Sequence, residues 1–311
     1  MATQRNYAID WLKGALMLLV MLGHLSGTGV NYSPFKWTLY GFHMPMFMAL
    51  SGYMLNIEKL RSDSFGALFG RYWARMILPW LVVFIVALPL VVSHITPAAA
   101  LQYALKPWNH LWFVPVLFAT IVLGVALPLS RTALMAISLP IGLGMWAALQ
   151  VFGFDYTVIP FDIRYIIMPG FFFFGLWLRT ANLHIGWWMV PVFAVSLALW
   201  GWGYSAQHHP ALLAIYPAMT LSSAALIPLI TRLPIRTLWI EAIGAESLFF
   251  YLHHPWIFNI ARRTIYRWME LNVAYAAAMV LTILILFAAR AVLCRNRWTA
   301  LLAGVVEKRK G

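Results

Sequence analysis

Apolar residues run along this chain in long unbroken stretches, without the alternation of a half-wet strand or the narrow stripe of a surface helix. Stretches of about 17–25 residues, enough for a helix to cross the hydrocarbon layer, fall near 8–26, 38–57, 72–93, 111–129, 133–151, 164–179, 186–204, 211–231, 244–262 and 272–293. They predict an all-α polytopic membrane protein of about ten transmembrane helices around a central cavity. The polar connections are short, so residues 1–311 read as one membrane domain. Pro45, Pro79, Pro115, Pro169 and Pro217 stand inside these stretches. Each frees a backbone carbonyl that must find a partner within the protein, which predicts kinked helices, a feature shared by transporters, channels and enzymes.

Composition agrees. Of 311 residues 63% are hydrophobic and 10% charged, with mean hydropathy +0.79. So few charges cover two membrane faces but not a soluble globule, which carries about 25% charged residues. The net charge of +13 would suggest nucleic acid in a soluble protein. Here the basic residues cluster between apolar runs, which points to orientation and to anionic lipid or phosphate, not to nucleic acid. With the N-terminus cytoplasmic, sixteen Lys and Arg fall inside, Arg5 and Lys308 to Lys310 among them, and six fall outside. Both termini are then cytoplasmic. The cluster Arg262, Arg263 and Arg267 lies on the outer side against this bias. Asp10 and Lys13 interrupt the order of a cleavable leader, so the first stretch is expected to stay as a helix. The single cysteine, Cys294, excludes an internal disulfide and reads as structural.

The first stretch carries chemistry. Lys13 and His24 are eleven positions apart, about three turns, so they share a helix face roughly 16 Å apart along the axis, and Asp10 lies within roughly 40° of it. Ionisable groups in a span are costly and usually face a cavity. His24 reads either as a working imidazole or as a hydrogen bond to a neighbouring helix. In Gly41-Phe42-His43-Met44-Pro45 the second stretch brings His43 to a comparable depth, and its Ser51-Gly52 suits close helix approach. Arg71 and Arg75, at i and i+4, put two guanidiniums on one helix face. They read as a phosphate fork or as positive-inside anchors. Asn109-His110-Leu111-Trp112 reads as an outer aromatic belt. Ser247 to His253-His254-Pro255 buries one or two histidines at mid-membrane, which packing alone explains poorly. His208-His209-Pro210 reads as interfacial, and no histidine–carboxylate cluster predicts a metal site.

These residues together resemble the membrane-bound acyltransferase-3 family. The resemblance lies in a basic residue, ten residues and a histidine (Lys13 to His24, with lysine where the family has arginine). It continues in Phe42-His43-Met44-Pro45 with Ser51-Gly52-Tyr53, in Arg71 and Arg75, in Leu111-Trp112-Phe113, and in Ser247 through Tyr251-Leu252 to His254. The motifs fall in the family's order, and those of the second and fourth helices resemble the branch similar to fucose 4-O-acetylases. The resemblance implies transfer of an acyl group, usually acetyl, from cytoplasmic acyl-CoA to a sugar hydroxyl in a lipid-linked oligosaccharide or an exported polysaccharide of the xanthan type. It implies a bacterial inner-membrane location, acetyl-CoA as co-substrate and no metal. Arg71, Arg75 and Lys13 would meet the CoA phosphates. His24 would act as general base, His43 and His254 would join it, and Asp10, Trp112 and Ser247 would support the site. No serine or cysteine triad is evident, so direct transfer is expected. Members carrying an extra hydrolase-like domain are known in the family; none is evident here, so the chain is expected to act alone. The rival reading is a transporter or flippase for a small anion or lipid-linked sugar.

Overall fold

The computed structural model describes residues 6–24, 33–92, 94–107, 110–181, 185–265 and 268–305. Arg5, Asn109, Arg267 and Lys308 to Lys310 therefore lie outside the described residues. Among the described residues every regular element is helical and no strand occurs. The backbone gathers into two compact units interleaved along the chain: residues 1–12, 28–62 and 116–236, and residues 13–27, 63–115 and 237–311.

The first unit holds the start of α1 (Tyr7–Gly23), then α2 (Pro34–Met54), α3 (Ile57–Ser62) and most of α7 (Phe113–Ala126). It continues with α8 (Arg131–Gln150), α9 (Arg164–Leu178), α10 (Met189–Trp202), α11 (Leu212–Ala225) and α12 (Ile227–Ile230). Helix α9 sits between α2 and α8, and its Phe171, Phe172 and Phe173 are completely buried. Small residues set the spacing. A Cβ at Gly52 would strike the Phe172 carbonyl oxygen, and one at Gly175 would strike the Ala49 carbonyl oxygen. The α2–α9 contact is thus backbone against backbone, as the Ser51-Gly52 pair predicts. Across α2 and α10, the Trp37 and Trp200 rings stack at 4.6 Å, and each indole N–H donates to the other's carbonyl at 2.9 Å. Arg61 caps the end of α7 by donating to the carbonyls of Gly124, Leu127 and Leu129. Arg131 pairs with Glu58 and holds that carboxyl below its ordinary range.

The second unit holds the rest of α1 from Lys13, then α4 (Phe65–Tyr72), a π-helical turn (Trp73–Ile77), α5 (Leu78–Val91) and α6 (Pro97–Leu105). It is completed by the first residues of α7 with α13 (Leu238–Ala245), α14 (Ser247–Ile265), α15 (Leu271–Leu293) and α16 (Arg297–Ala303). Helix α14 packs on α15, α13 and α5, and α16 packs on α5 and α15. The π turn has a local cause. Pro79 lacks an N–H, so the ladder ahead of it is re-spaced, and the Leu78 N–H reaches back five residues to the Trp73 carbonyl. Glu246, buried at the junction of α13 and α14, accepts from the Arg290 guanidinium of α15 at 2.7 and 3.0 Å.

Each of the ten apolar stretches overlaps a helix. Among the described residues, four helices are long and apolar enough to cross a bilayer: Gly66–Leu90, Arg131–Gln150, Leu212–Ile230 and Val273–Leu293. Phe113–Ala126, Arg164–Leu178 and Met189–Trp202 are shorter apolar helices.

Gly175→Leu should force α9 off α2 and abolish accumulation of folded protein, whereas Gly66→Ala, whose Cβ meets open space, should leave it intact. Detergent-solubilised yield and thermal midpoint measure both.

Candidate functional site

Helix α1 reaches the second unit at Lys13. A Cβ at Gly14 would strike the Ile240 carbonyl oxygen of α13, so the two helices meet backbone to backbone there. The helix ends at Gly23, and the His24 N–H donates to the Met21 carbonyl at 3.0 Å in the closing turn. The His24 ring is half-buried. It thus stands at the end of the helix, one residue past the last helical position, within the stretch expected to span 8–26.

Two further imidazoles meet it. The His254 ring centre lies 5.2 Å from that of His24 at an interplanar angle of 61°. The His110 ring centre lies 6.5 Å from His24 and 5.7 Å from His254. His254 is 1% exposed and His110 4%. Three histidines from three separated segments of one unit therefore share one place, with His24 the most open of them.

Local chemistry orients His254. Pro255 follows it inside α14 and has no N–H, so the Tyr251 carbonyl loses its helical donor. His254 Nδ1 lies 3.0 Å from that oxygen and 2.9 Å from the Phe250 oxygen. A carbonyl only accepts, so Nδ1 carries the hydrogen, and in the neutral ring Nε2 keeps a bare lone pair. That Nε2 is buried without a hydrogen-bond partner among the described residues.

His110 is fixed the other way round. It lies in a non-helical segment just before α7, tied at three points: the Trp80 indole donates to the Leu111 carbonyl at 2.8 Å, the Phe113 N–H to the Tyr251 hydroxyl at 3.2 Å, and His110 Nε2 lies 3.2 Å from the Leu252 carbonyl. Its Nε2 must carry the hydrogen, leaving Nδ1 bare; that atom too is buried and unpartnered among the described residues. A buried unsatisfied polar atom costs about 1–3 kcal/mol, so two in adjacent rings call for an explanation.

The other expected site residues fall as follows. Lys13, Arg71, Arg75, Trp112 and Ser247 belong to the second unit with His24 and His254, whereas Asp10 and His43 belong to the first. Asp10 is 8% exposed and Lys13 half-buried. His43 is buried, its Nδ1 lies 2.7 Å from the Leu39 carbonyl, and its ring contacts Tyr40 at 4.9 Å. The α-helical spacing expected for Arg71 and Arg75 is interrupted by the π turn. Arg71 is paired with Asp63 while Arg75 is exposed. Trp112 is buried, not part of a lipid-facing belt, and Ser247 is half-buried at the first position of α14. Of the paired histidines, His254 joins the cluster, and His253 lies instead 3.1 Å from the Ala303 carbonyl of α16. His110 was the residue that sequence reasoning passed over. Its motif, a polar pair before an apolar run, is also that of an interfacial belt. Among the described residues, no group of three or more His, Cys, Asp or Glu is arranged to hold a metal ion.

The sequence model of the acyltransferase-3 family, described as an acyltransferase domain, matches residues 6–291. Nodulation protein NolL of Sinorhizobium fredii is 38% identical over 87 residues, covering 26% of this chain and 24% of that protein. Nodulation protein NolL of Mesorhizobium japonicum is 39% identical over 84 residues, covering 25% and 22%. The chain thus matches about a quarter of the length of these curated relatives. No solved structure matches it.

Tyr251→Phe removes the acceptor of the Phe113 N–H. It should destabilise the protein by about 1–3 kcal/mol, read as a lowered thermal midpoint in detergent. An unchanged midpoint would mean that another group holds that N–H.

Proposed function

We propose, because this chain belongs to the acyltransferase-3 family, whose sequence model covers it almost end to end, that it is an integral membrane O-acyltransferase. In this reading it moves an acyl group, acetyl in the simplest case, from acyl-CoA to a sugar hydroxyl in a cell-surface or exported glycan. It works as one membrane domain of about ten spans in a bacterial inner membrane, with both termini cytoplasmic. The observation that carries the reading is the half-buried His24 ring against two deeper imidazoles: an acid–base group with an entry side and a supported rear.

His24 takes the proton of the acceptor hydroxyl as the oxygen forms its bond to the thioester carbonyl carbon. The carbon–sulfur bond then breaks with its electron pair going to sulfur, and the proton held by His24 returns to that thiolate. The ester and free CoA thiol are the products, and no acyl-enzyme is required. A base of this kind contributes about 10²–10⁴-fold to the rate. Arg71 and Arg75, with Lys13, meet the phosphates of CoA, a role suited to guanidinium forks. Asp63 then competes, because its carboxylate occupies part of the Arg71 fork. The family motifs support His43 and His254 as catalytic partners of His24, and Asp10, Trp112 and Ser247 as supporting residues.

Two outcomes are expected. His24→Ala should abolish acceptor acylation while the protein still inserts. Mass spectrometry of glycans from cells with and without each form reads this as gain or loss of one acetyl increment per sugar, and normal acylation by His24→Ala would remove the general-base role. Arg71→Ala and Arg75→Ala should raise KM for the acyl donor, and Asp63→Asn should lower it about two- to fivefold by releasing Arg71 from a partly buried ion pair. An unchanged donor KM in all three would return these arginines to topological anchors.

A further inference from the structure

The function proposed above uses His24, and the sequence adds His254 to it; neither accounts for His110. Yet His110 is the more unusual feature. It lies on a non-helical segment held at three points, it is almost wholly buried, and the nitrogen left bare by its bond to Leu252 has no partner among the described residues. The neighbouring ring, 5.7 Å away, presents the same condition at His254 Nε2. Two lone pairs side by side cannot satisfy each other. Each needs a donor, and one added proton would supply it.

Distances indicate where that proton comes from. An in-line N–H···N bond of about 3 Å between two imidazoles places their ring centres about 5 Å apart. The 5.2 Å between His24 and His254 is already at that separation, and the 5.7 Å between His254 and His110 exceeds it by a fraction of an ångström. His254 has one bare nitrogen, so a small reorientation brings Nε2 to one neighbour at a time: to His24, which hands over the proton, and then to His110 Nδ1, which accepts the N–H. In the resting molecule His254 Nε2 and His110 Nδ1 have no donor among the described residues. They gain one only while His24 or His254 holds the proton removed from the acceptor.

We propose that His110 is a positioning residue for acyl transfer. Its bare Nδ1 is the acceptor for the N–H that the His24–His254 pair gains when the acceptor hydroxyl gives up its proton. This rests on the acyltransferase reading and extends it. The proton leaves the hydroxyl oxygen for His24 as the carbon–oxygen bond forms, and the resulting positive charge is held by His254 and His110 as successive acceptors. The proton returns to the sulfur once the carbon–sulfur bond of the thioester has broken. The stabilisation exists only while the imidazolium exists, so it acts on the transition state and not on ground-state binding. The buried, unpaired lone pairs are its standing cost in the resting state.

Two substitutions separate this role from a structural one, because they keep opposite halves of the imidazole. His110→Gln retains an N–H at the reach of Nε2, able to hold the Leu252 carbonyl, but has no acceptor at the position of Nδ1. His110→Asn retains an acceptor near Nδ1 and loses the bond to Leu252. The full-length protein in detergent or proteoliposomes, assayed with acetyl-CoA and a panel of free and lipid-linked oligosaccharides, gives kcat and KM for each form. The expected result is a kcat lower by about 10- to 100-fold in His110→Gln, with both KM values and the thermal midpoint near wild type. His110→Asn should keep kcat within about threefold of wild type despite a lower midpoint. The reverse order, a normal His110→Gln and an impaired His110→Asn, would make His110 a prop for Leu252 and overturn the proposal. A raised acceptor KM with unchanged kcat in His110→Gln would overturn it too, by assigning the lone pair to ground-state sugar binding. Wild type and His24→Ala run in parallel. If wild type transfers no acyl group, or His24→Ala transfers normally, the underlying function fails; if both behave as expected and His110→Gln matches wild type, the positioning role alone fails.

Discussion

A backbone carbonyl buried in an apolar interior must find a donor, and Pro255 creates a carbonyl without one a single turn from the place where three histidines meet. The helix cannot satisfy the Tyr251 oxygen through its own ladder, so the His254 ring is drawn back to do so. That contact orients the ring and sets which nitrogen carries hydrogen. Pro79 follows the same logic: the missing donor there is absorbed by a π-helical turn, which changes where Arg71 and Arg75 stand relative to each other. Proline in these helices therefore acts less as a hinge than as a source of unsatisfied backbone, and side chains or altered turns resolve the demand.

Around that constraint the second unit is built to keep a small polar cluster in register. Gly14 lets α1 approach α13 to backbone contact, fixing the helix that ends at His24. The Trp80 indole and the Tyr251 hydroxyl hold the short segment that carries His110, and the Arg290–Glu246 pair ties α15 to the start of α14. Each bond is modest, about 0.5–1.5 kcal/mol net or somewhat more where a charge takes part. Their value for the site lies in direction: together they bring rings from three segments within 6.5 Å while leaving two nitrogens without a partner among the described residues.

Much of this was legible in the amino acids, for a definite reason. Long apolar runs with prolines at depth report the helices, because lipid leaves the backbone few alternatives. An imidazole such as His24 or His254 inside such a run stands out against its background. His110 did not, because a histidine beside a tryptophan at the end of an apolar stretch is also what a membrane interface looks like, and only the tertiary bonds to Leu252, Trp80 and Tyr251 distinguish the two. Arg71 and Arg75 were legible as a pair but not in their relation, since the π turn depends on how a proline four residues beyond Arg75 is accommodated. Gly52 was legible as a small residue, and its partner carbonyl on Phe172 was not. Spacing along one helix is local; the choice of partner is not.

The most direct measurement is the tautomeric state of the two deep histidines, by 15N NMR of the selectively labelled protein in lipid, where protonated and bare ring nitrogens resonate far apart. Opposite tautomers are expected at neutral pH: hydrogen on Nδ1 with a bare Nε2 for His254, and hydrogen on Nε2 with a bare Nδ1 for His110. Hydrogen on Nε2 of His254, or both nitrogens protonated in both rings at rest, would contradict it.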